Sequence, residues 1–208
     1  MLSKKFVCAG YDYSTYTDFV PAPYFRKSFY VECLPTDCRV TVCGLGFYDI
    51  FINGTKITKG LLAPYISNPD DIIYYDEYDL SEYLAEGENV LGFQLGNGMQ
   101  NSPGGQIWDF DIAAFRGAPR LAFALELDGE TIEADDSVKT AASPIVFDDL
   151  RCGCFYDARN ESDGWAEPGF DDSAWKSALR AETPRGEADT AEGDFEARIR
   201  SPLHPCPL

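Results

Sequence analysis

Between residues 40 and 98, apolar side chains recur at every second position in short runs, and each run ends in turn-forming residues. Val40 and Val42 point one way, Tyr48, Ile50 and Ile52 share a face, and Leu91, Phe93 and Leu95 do the same. A period of two is the mark of strands that bury one face. Asn53-Gly54 supplies two residues that tolerate positive φ, so the first block is expected to turn there and return antiparallel through Thr55–Ile57. Ser67-Asn68-Pro69-Asp70-Asp71 forces another turn before an extended, aromatic segment from Ile72 to Tyr78. Asp79, with Glu82 three residues later, predicts the N-terminus of one short helix over Leu80–Ala85, closed before Gly87.

The rest of the chain follows the same pattern. Phe6–Tyr16 and Tyr24–Glu32 read as extended segments on either side of Pro21-Ala22-Pro23. Leu121, Phe123, Leu125 and Leu127 alternate up to an Asp128-Gly129 turn, from which Thr131–Ala134 returns as a second hairpin. Pro144–Val146 and Cys154–Ala158 fit late strands, and Phe195, Ala197 and Ile199 alternate as a last one. Helical periodicity is nearly absent, while 18 glycines and 13 prolines punctuate the runs, so the expected fold is all-β, a jelly-roll sandwich with one short helix. Residues 1–181 are expected to form the sandwich, 182–201 an acidic loop and short terminal strand of the same domain, and 202–208, with Pro202, Pro205 and Pro207, a linker.

Composition narrows the function. A formal charge of -18 opposes phosphate backbones and anionic lipid, so neither nucleic acid nor a membrane surface is an expected partner. The apolar stretch after Lys5 ends at Gly10, too short for the core of a secretory signal, and seven cysteines without paired zinc-ligand spacing suit reduced thiols in a cytoplasm. Cys152 and Cys154 form the one close pair, with no second pair beside it. The single histidine, His204, lies among prolines, and no Gly-x-Ser-x-Gly elbow occurs, so nucleophilic catalysis lacks its parts. With 35 acidic residues, some carboxylate pair meets a glycosidase separation by chance, and that abundance carries no weight.

The loop from Asn97 to Asp111 is the longest candidate for binding. Asn97, Gln100, Asn101, Asp109 and Asp111 carry groups suited to vicinal hydroxyls, and Trp108 could cover the apolar face of a deoxy sugar. The same residues also suit a structural turn, with Trp108 in the core. Trp165 and Trp175 bracket Pro168–Asp172 and read as anchors of that loop on the sandwich.

An ordered series of motifs adds a resemblance. Tyr24-Phe25-Arg26-Lys27-Ser28-Phe29, Cys43-Gly44-Leu45-Gly46-Phe47-Tyr48-Asp49-Ile50-Phe51-Ile52-Asn53-Gly54, Leu62-Ala63-Pro64, Glu86-Gly87-Glu88-Asn89-Val90 and Leu95-Gly96-Asn97-Gly98 open it. Tyr156-Asp157-Ala158-Arg159, Gly164-Trp165 and Phe170-Asp171-Asp172-Ser173-Ala174-Trp175 close it. The chain resembles the N-terminal β-sandwich, galactose-binding-like module of bacterial α-L-rhamnosidases. Cys154 stands where that family usually has Glu, and Met99 where an aromatic commonly follows Gly-x-Gly. The resemblance implies a non-catalytic accessory module, with hydrolysis of terminal α-L-rhamnosides carried out by an (α/α)₆ barrel elsewhere in the same polypeptide. It leaves open a sugar-binding module, a structural spacer packed on the barrel, or a free-standing lectin-like domain. Some relatives hold rhamnose with help from calcium, for which Asp109 and Asp111 would supply carboxylates here.

Overall fold

The computed structural model describes residues 2–102 and 112–190. The alternating runs become two stacked sheets. The first contains, in spatial order, β14 (Leu179–Ala181), β1 (Phe6–Cys8), β8 (Arg120–Leu127), β3 (Cys38–Leu45), β6 (Ile72–Asp79) and β15 (Glu187–Thr190). β9 (Glu130–Glu133) extends the β1 side of β8. The second sheet runs β13 (Lys176–Ser177), β10 (Lys139–Ala142), β2 (Pro23–Val31), β7 (Gly87–Leu95), β4 (Tyr48–Ile52) and β5 (Thr55–Lys56). β11 (Ile145–Asp149) and β12 (Gly153–Tyr156) form a separate ribbon. Central strands pair with partners distant in sequence, β2 with β7 and β3 with β8, which is the topology expected of a jelly roll.

The core lies between the sheets. Phe25, Ile50, Leu91 and Phe93 from the second sheet meet Val40, Val42, Leu121 and Phe123 from the first, all fully buried. The Phe93 and Phe123 rings stack 5.4 Å apart. β8 is buried on both faces, because the small residues between its large ones, Ala122 and Ala124, lie under further cover. Ala122 joins Phe6, Cys43, Leu45 and Ile73 in a second, smaller cluster. Across the sheets, the Tyr48 hydroxyl donates to Asp76 Oδ2 at 2.5 Å and lies 2.9 Å from the Tyr78 hydroxyl. Burial, and then the Asp76 charge, push the Tyr48 hydroxyl far above its ordinary pKa, so it stays a donor.

Both expected hairpins form with the turn that their sequences call for. Asn53 and Gly54 have φ of 48° and 82°, and Asp128 and Gly129 have 47° and 94°, so both central residues of each turn are left-handed. At the entrance to β4, Gly46 has φ of 111°, and a Cβ there would lie 2.2 Å from the Gly96 carbonyl oxygen. Only glycine lets the Gly44–Gly46 and Gly96–Gly98 segments approach this closely.

Three expectations are corrected. The helix over Leu80–Ala85 is absent; a single turn, with the Tyr83 amide donating to the Leu80 carbonyl at 2.9 Å, stands in its place. Asn89 and Asn53 take the backbone groups that a helix would use. Asn89 Nδ2 donates to the Ala85 and Gly87 carbonyls, Asn89 Oδ1 accepts from the Ala85 amide, and Asn53 Nδ2 donates to the Tyr83 carbonyl. Asp79 Oδ1 meets Ser81, accepting from its amide and hydroxyl at 2.8 and 2.6 Å. The extended segment expected through Tyr16 stops at Cys8, and residues 9–22 form a long loop. The acidic stretch after Glu182 contains a strand, β15, which adds to β6 in parallel, Glu187 opposite Ile72. The strand expected at Phe195, Ala197 and Ile199 and the segment 202–208 lie outside the described residues.

The described cysteines are free thiols. Cys8, Cys38 and Cys43 are buried, and Cys33, Cys152 and Cys154 are exposed. Burial raises the Cys38 thiol to about 11.

Candidate functional site

One end of the sandwich gathers most of the amide side chains singled out from the sequence. After β7, Gly98–Gln100 make a turn in which the Asn101 amide donates to the Asn97 carbonyl at 3.1 Å. Four residues apart on one turn, the two side chains share a face, and Asn101 Nδ2 donates to Asn97 Oδ1 at 2.6 Å. Asn97 and Asn101 are 1% and 0% exposed, so their polar groups need internal partners. Asn97 Nδ2 donates to the Val20 carbonyl at 2.9 Å and to Asp148 Oδ1 at 2.5 Å, and the Asn97 amide donates to Asp148 Oδ2 at 2.7 Å. Asn101 Oδ1 accepts from the Ser14 amide at 2.8 Å. Gln100 Nε2 donates to the Phe115 carbonyl at 2.8 Å, and the Gln100 carbonyl accepts from the Gly117 amide at 3.0 Å.

The ribbon supplies the acidic half of this network. Burial pushes the Asp148 carboxyl up, outweighing the hydrogen bonds from Asn97. Burial acts the same way on Asp149, but hydrogen bonds from the Ser102 hydroxyl and the Arg151 and Cys152 amides outweigh it and hold that carboxyl below its ordinary value. Asn97, Gln100 and Asn101 are thus brought together, each engaged with the protein's own polar groups. Trp108, Asp109 and Asp111 lie outside the described residues. Among the described residues, no three carboxylate, thiol or imidazole groups converge as metal ligands.

The network holds the loop of residues 9–22. Asn101 grips it at Ser14 and Asn97 at Val20, while Ser14 Oγ accepts from the Val20 amide at 3.2 Å and closes the loop on itself. Arg116 Nη2 donates to the Ser14 carbonyl, and its guanidinium lies 4.9 Å from the Tyr13 ring centroid. Between this loop and the edge of the second sheet, at Thr140–Ala142 and Ala174–Lys176, opens a cleft of about 770 Å³. That volume falls within the range of roughly 300–1,000 Å³ typical of small-molecule sites. Tyr11, Tyr13 and Phe19 line it from the loop, 67%, 51% and 47% exposed, and Trp175 lines the opposite wall.

Trp175 is fixed from behind. Its ring stacks on Tyr24 at 6.1 Å and on Trp165 at 6.4 Å, and Tyr24 and Trp165 stack at 4.1 Å. Arg26 secures the loop that carries both indoles. It is 2% exposed and donates from Nε to the Trp165 carbonyl, from Nη2 to the Glu167 carbonyl and from Nη1 to Ser28 Oγ and Asp172 Oδ2. The expected anchoring of Trp165 and Trp175 on the sandwich is therefore what the structure has, on the outer face of the second sheet.

Fold and site together describe a jelly-roll sandwich module with aromatic and amide groups gathered at one end. The chain belongs to the α-L-rhamnosidase N-terminal domain family, whose profile matches residues 34–194. It is 38% identical over 165 residues to an α-L-rhamnosidase of Formosa agariphila, a match that covers 76% of this chain and 17% of that protein. A Streptomyces avermitilis α-L-rhamnosidase is 31% identical over 170 residues, covering 79% of this chain and 16% of the relative. The solved α-L-rhamnosidase of Dictyoglomus thermophilum superposes with a TM-score of 0.77 at 32% identity, over 89% of this chain and 22% of that one. The Streptomyces avermitilis enzyme complexed with L-rhamnose superposes with a TM-score of 0.71 at 29% identity, over 79% of this chain and 16% of that one. This chain therefore spans only a small part of the length of these relatives.

Proposed function

We propose that this chain is the non-catalytic accessory module of an α-L-rhamnosidase, supplying carbohydrate contacts and packing surface while an (α/α)₆ barrel in the same polypeptide hydrolyses terminal α-L-rhamnosides. The observation that carries this reading is the match to the α-L-rhamnosidase N-terminal domain family, together with rhamnosidase relatives of whose length the match covers only 16% to 22%. The chemistry is in keeping with it: the buried carboxylates Asp76 and Asp149 and the half-buried Asp148 are engaged by Tyr48, Ser102 and Asn97. A packing role is favoured by Leu61, Leu62, Tyr65 and Ile66, a run of neighbours 92%, 60%, 49% and 51% exposed. Clustered exposed apolar side chains of this kind mark surfaces that another body covers.

Expression of the whole reading frame that contains this chain tests the proposal. The full product is expected to hydrolyse an aryl α-L-rhamnoside, and a fragment beginning after residue 208 is expected to hold the active centre. A full product inert on rhamnosides, or activity that maps to residues 1–208, would overturn it.

A further inference from the structure

The cleft has a ligand chemistry of its own. Its lip is aromatic and open, its back wall is an indole held in a stack, and the loop that forms the lip is fastened by buried amides rather than left to collapse. Preorganisation of this sort lowers the entropy lost when a ligand is held. Two carboxylates lie along the cleft beside hydroxyl groups: Asp12 makes no hydrogen bond or ion pair among the described residues, and Asp18 lies nearby with Thr15. Lys176 is the one cation among the described lining residues, and the whole chain carries -18. A fitting ligand therefore has an apolar face for the rings, many O–H donors for the carboxylates, and no negative charge. Saccharides combine such a face with such an edge.

We propose that this cleft binds an uncharged saccharide chain, with Tyr13 and Trp175 as stacking platforms, Tyr11 and Phe19 at the lip, and Asp12 and Asp18 accepting from vicinal hydroxyls. The inference rests on the carbohydrate-contact reading above and places that contact outside the loop from Asn97 to Asp111. Asn97 and Asn101 then act as positioning residues, holding the wall of the cleft without touching the sugar.

Isothermal titration of the full 208-residue chain with α-L-rhamnosyl-(1→6)-D-glucose, and with oligogalacturonate as the anionic control, decides it. Binding of the neutral disaccharide at millimolar concentration is expected, with none of the oligogalacturonate. Tyr13→Ala and Trp175→Ala should each weaken binding by about tenfold. Because Trp175 also packs, Asp12→Asn serves as a variant at an exposed site that leaves the fold untouched, and it too should weaken binding. No heat from the neutral disaccharide would overturn the inference, as would tighter binding of the oligogalacturonate. Binding that survives Tyr13→Ala and Asp12→Asn but is lost in Trp108→Ala would overturn it in favour of the Asn97–Asp111 loop. Loss of association with the catalytic fragment in Tyr13→Ala, without any sugar binding by the parent chain, would make the cleft a domain interface and overturn it equally. None of these outcomes concerns turnover, so failure of the accessory-module reading, seen as hydrolysis by this chain, is read separately.

Discussion

Arg26 carries more of the fold's polar wiring than its place in an alternating strand suggests. On β2 it points to the outer face, opposite Gly92, where Trp165 packs so closely that a Cβ on Gly92 would lie 2.9 Å from the indole. Its planar fork reaches two carbonyls, a hydroxyl and the Asp172 carboxylate, with Phe170 5.7 Å away. Lysine has the charge but not the fork. Arg26→Lys is expected to cost about 2 kcal/mol or more, the scale of one lost hydrogen bond to a charged group. Urea denaturation followed by tryptophan fluorescence would show the cost as a lower midpoint; an unchanged midpoint would remove Arg26 from the account. Asp128 does comparable work at an exposed turn. Its Oδ1 accepts from the Thr36 amide and hydroxyl and the Asp37 amide at 2.9–3.0 Å, and the Asp37 amide, then the Thr36 hydroxyl, hold its pKa below the ordinary value. The unfolded chain therefore binds the proton more readily, so this contribution is present at neutral pH and lost as pH falls through the folded pKa. Asp128→Asn, which keeps a residue suited to positive φ, should flatten the loss of stability between about pH 5 and pH 2. An identical acid limb in parent and variant would contradict it.

At the scale of elements, the hairpins were legible because a two-residue turn with both φ positive leaves few choices of residue, and Asn-Gly and Asp-Gly announce it locally. Replacing Gly54, at φ of 82°, with valine should cost about 1–3 kcal/mol, the usual cost of a side chain held in that region. The midpoint of thermal or urea unfolding measures it, and no shift would exclude the left-handed turn. The missing helix was not legible, since its competitors sit outside the segment: Asn53 is 30 residues from Tyr83, and Asn89 lies beyond Gly87 in the strand that follows. The loop after Cys8 was misread for a related reason. Tyr11, Tyr13 and Tyr16 alternate loosely with polar residues as a strand would, yet all three are exposed, and among the described residues no strand pairs with them.

At the scale of the molecule, the sequence disclosed the family and the type of fold through motifs that stand far apart and meet in space. Tyr24–Phe29 meets Phe170–Trp175 through Arg26 and the stacked rings, and Gly46 meets Gly96. It could not disclose which polar residues turn inward, because an asparagine that binds sugar and one that fastens a loop look alike until their partners are known. Those partners, Ser14, Val20 and Asp148, lie 87, 77 and 51 residues away. The cleft was hidden for the same reason, since its walls come from the loop after β1, from β10 and from the start of β13. What unites these scales is the proposal of a domain in which Asn97, Asn101, Asp148 and Asp149 hold shape while bond-breaking chemistry belongs to another part of the polypeptide. The most direct test of that claim is an assay of the purified 208-residue chain, at high concentration, with 4-nitrophenyl α-L-rhamnopyranoside. The account predicts no release of nitrophenol above the buffer rate from a chain that is folded by circular dichroism; turnover that copurifies with the chain and vanishes on replacement of a single carboxylate would contradict it.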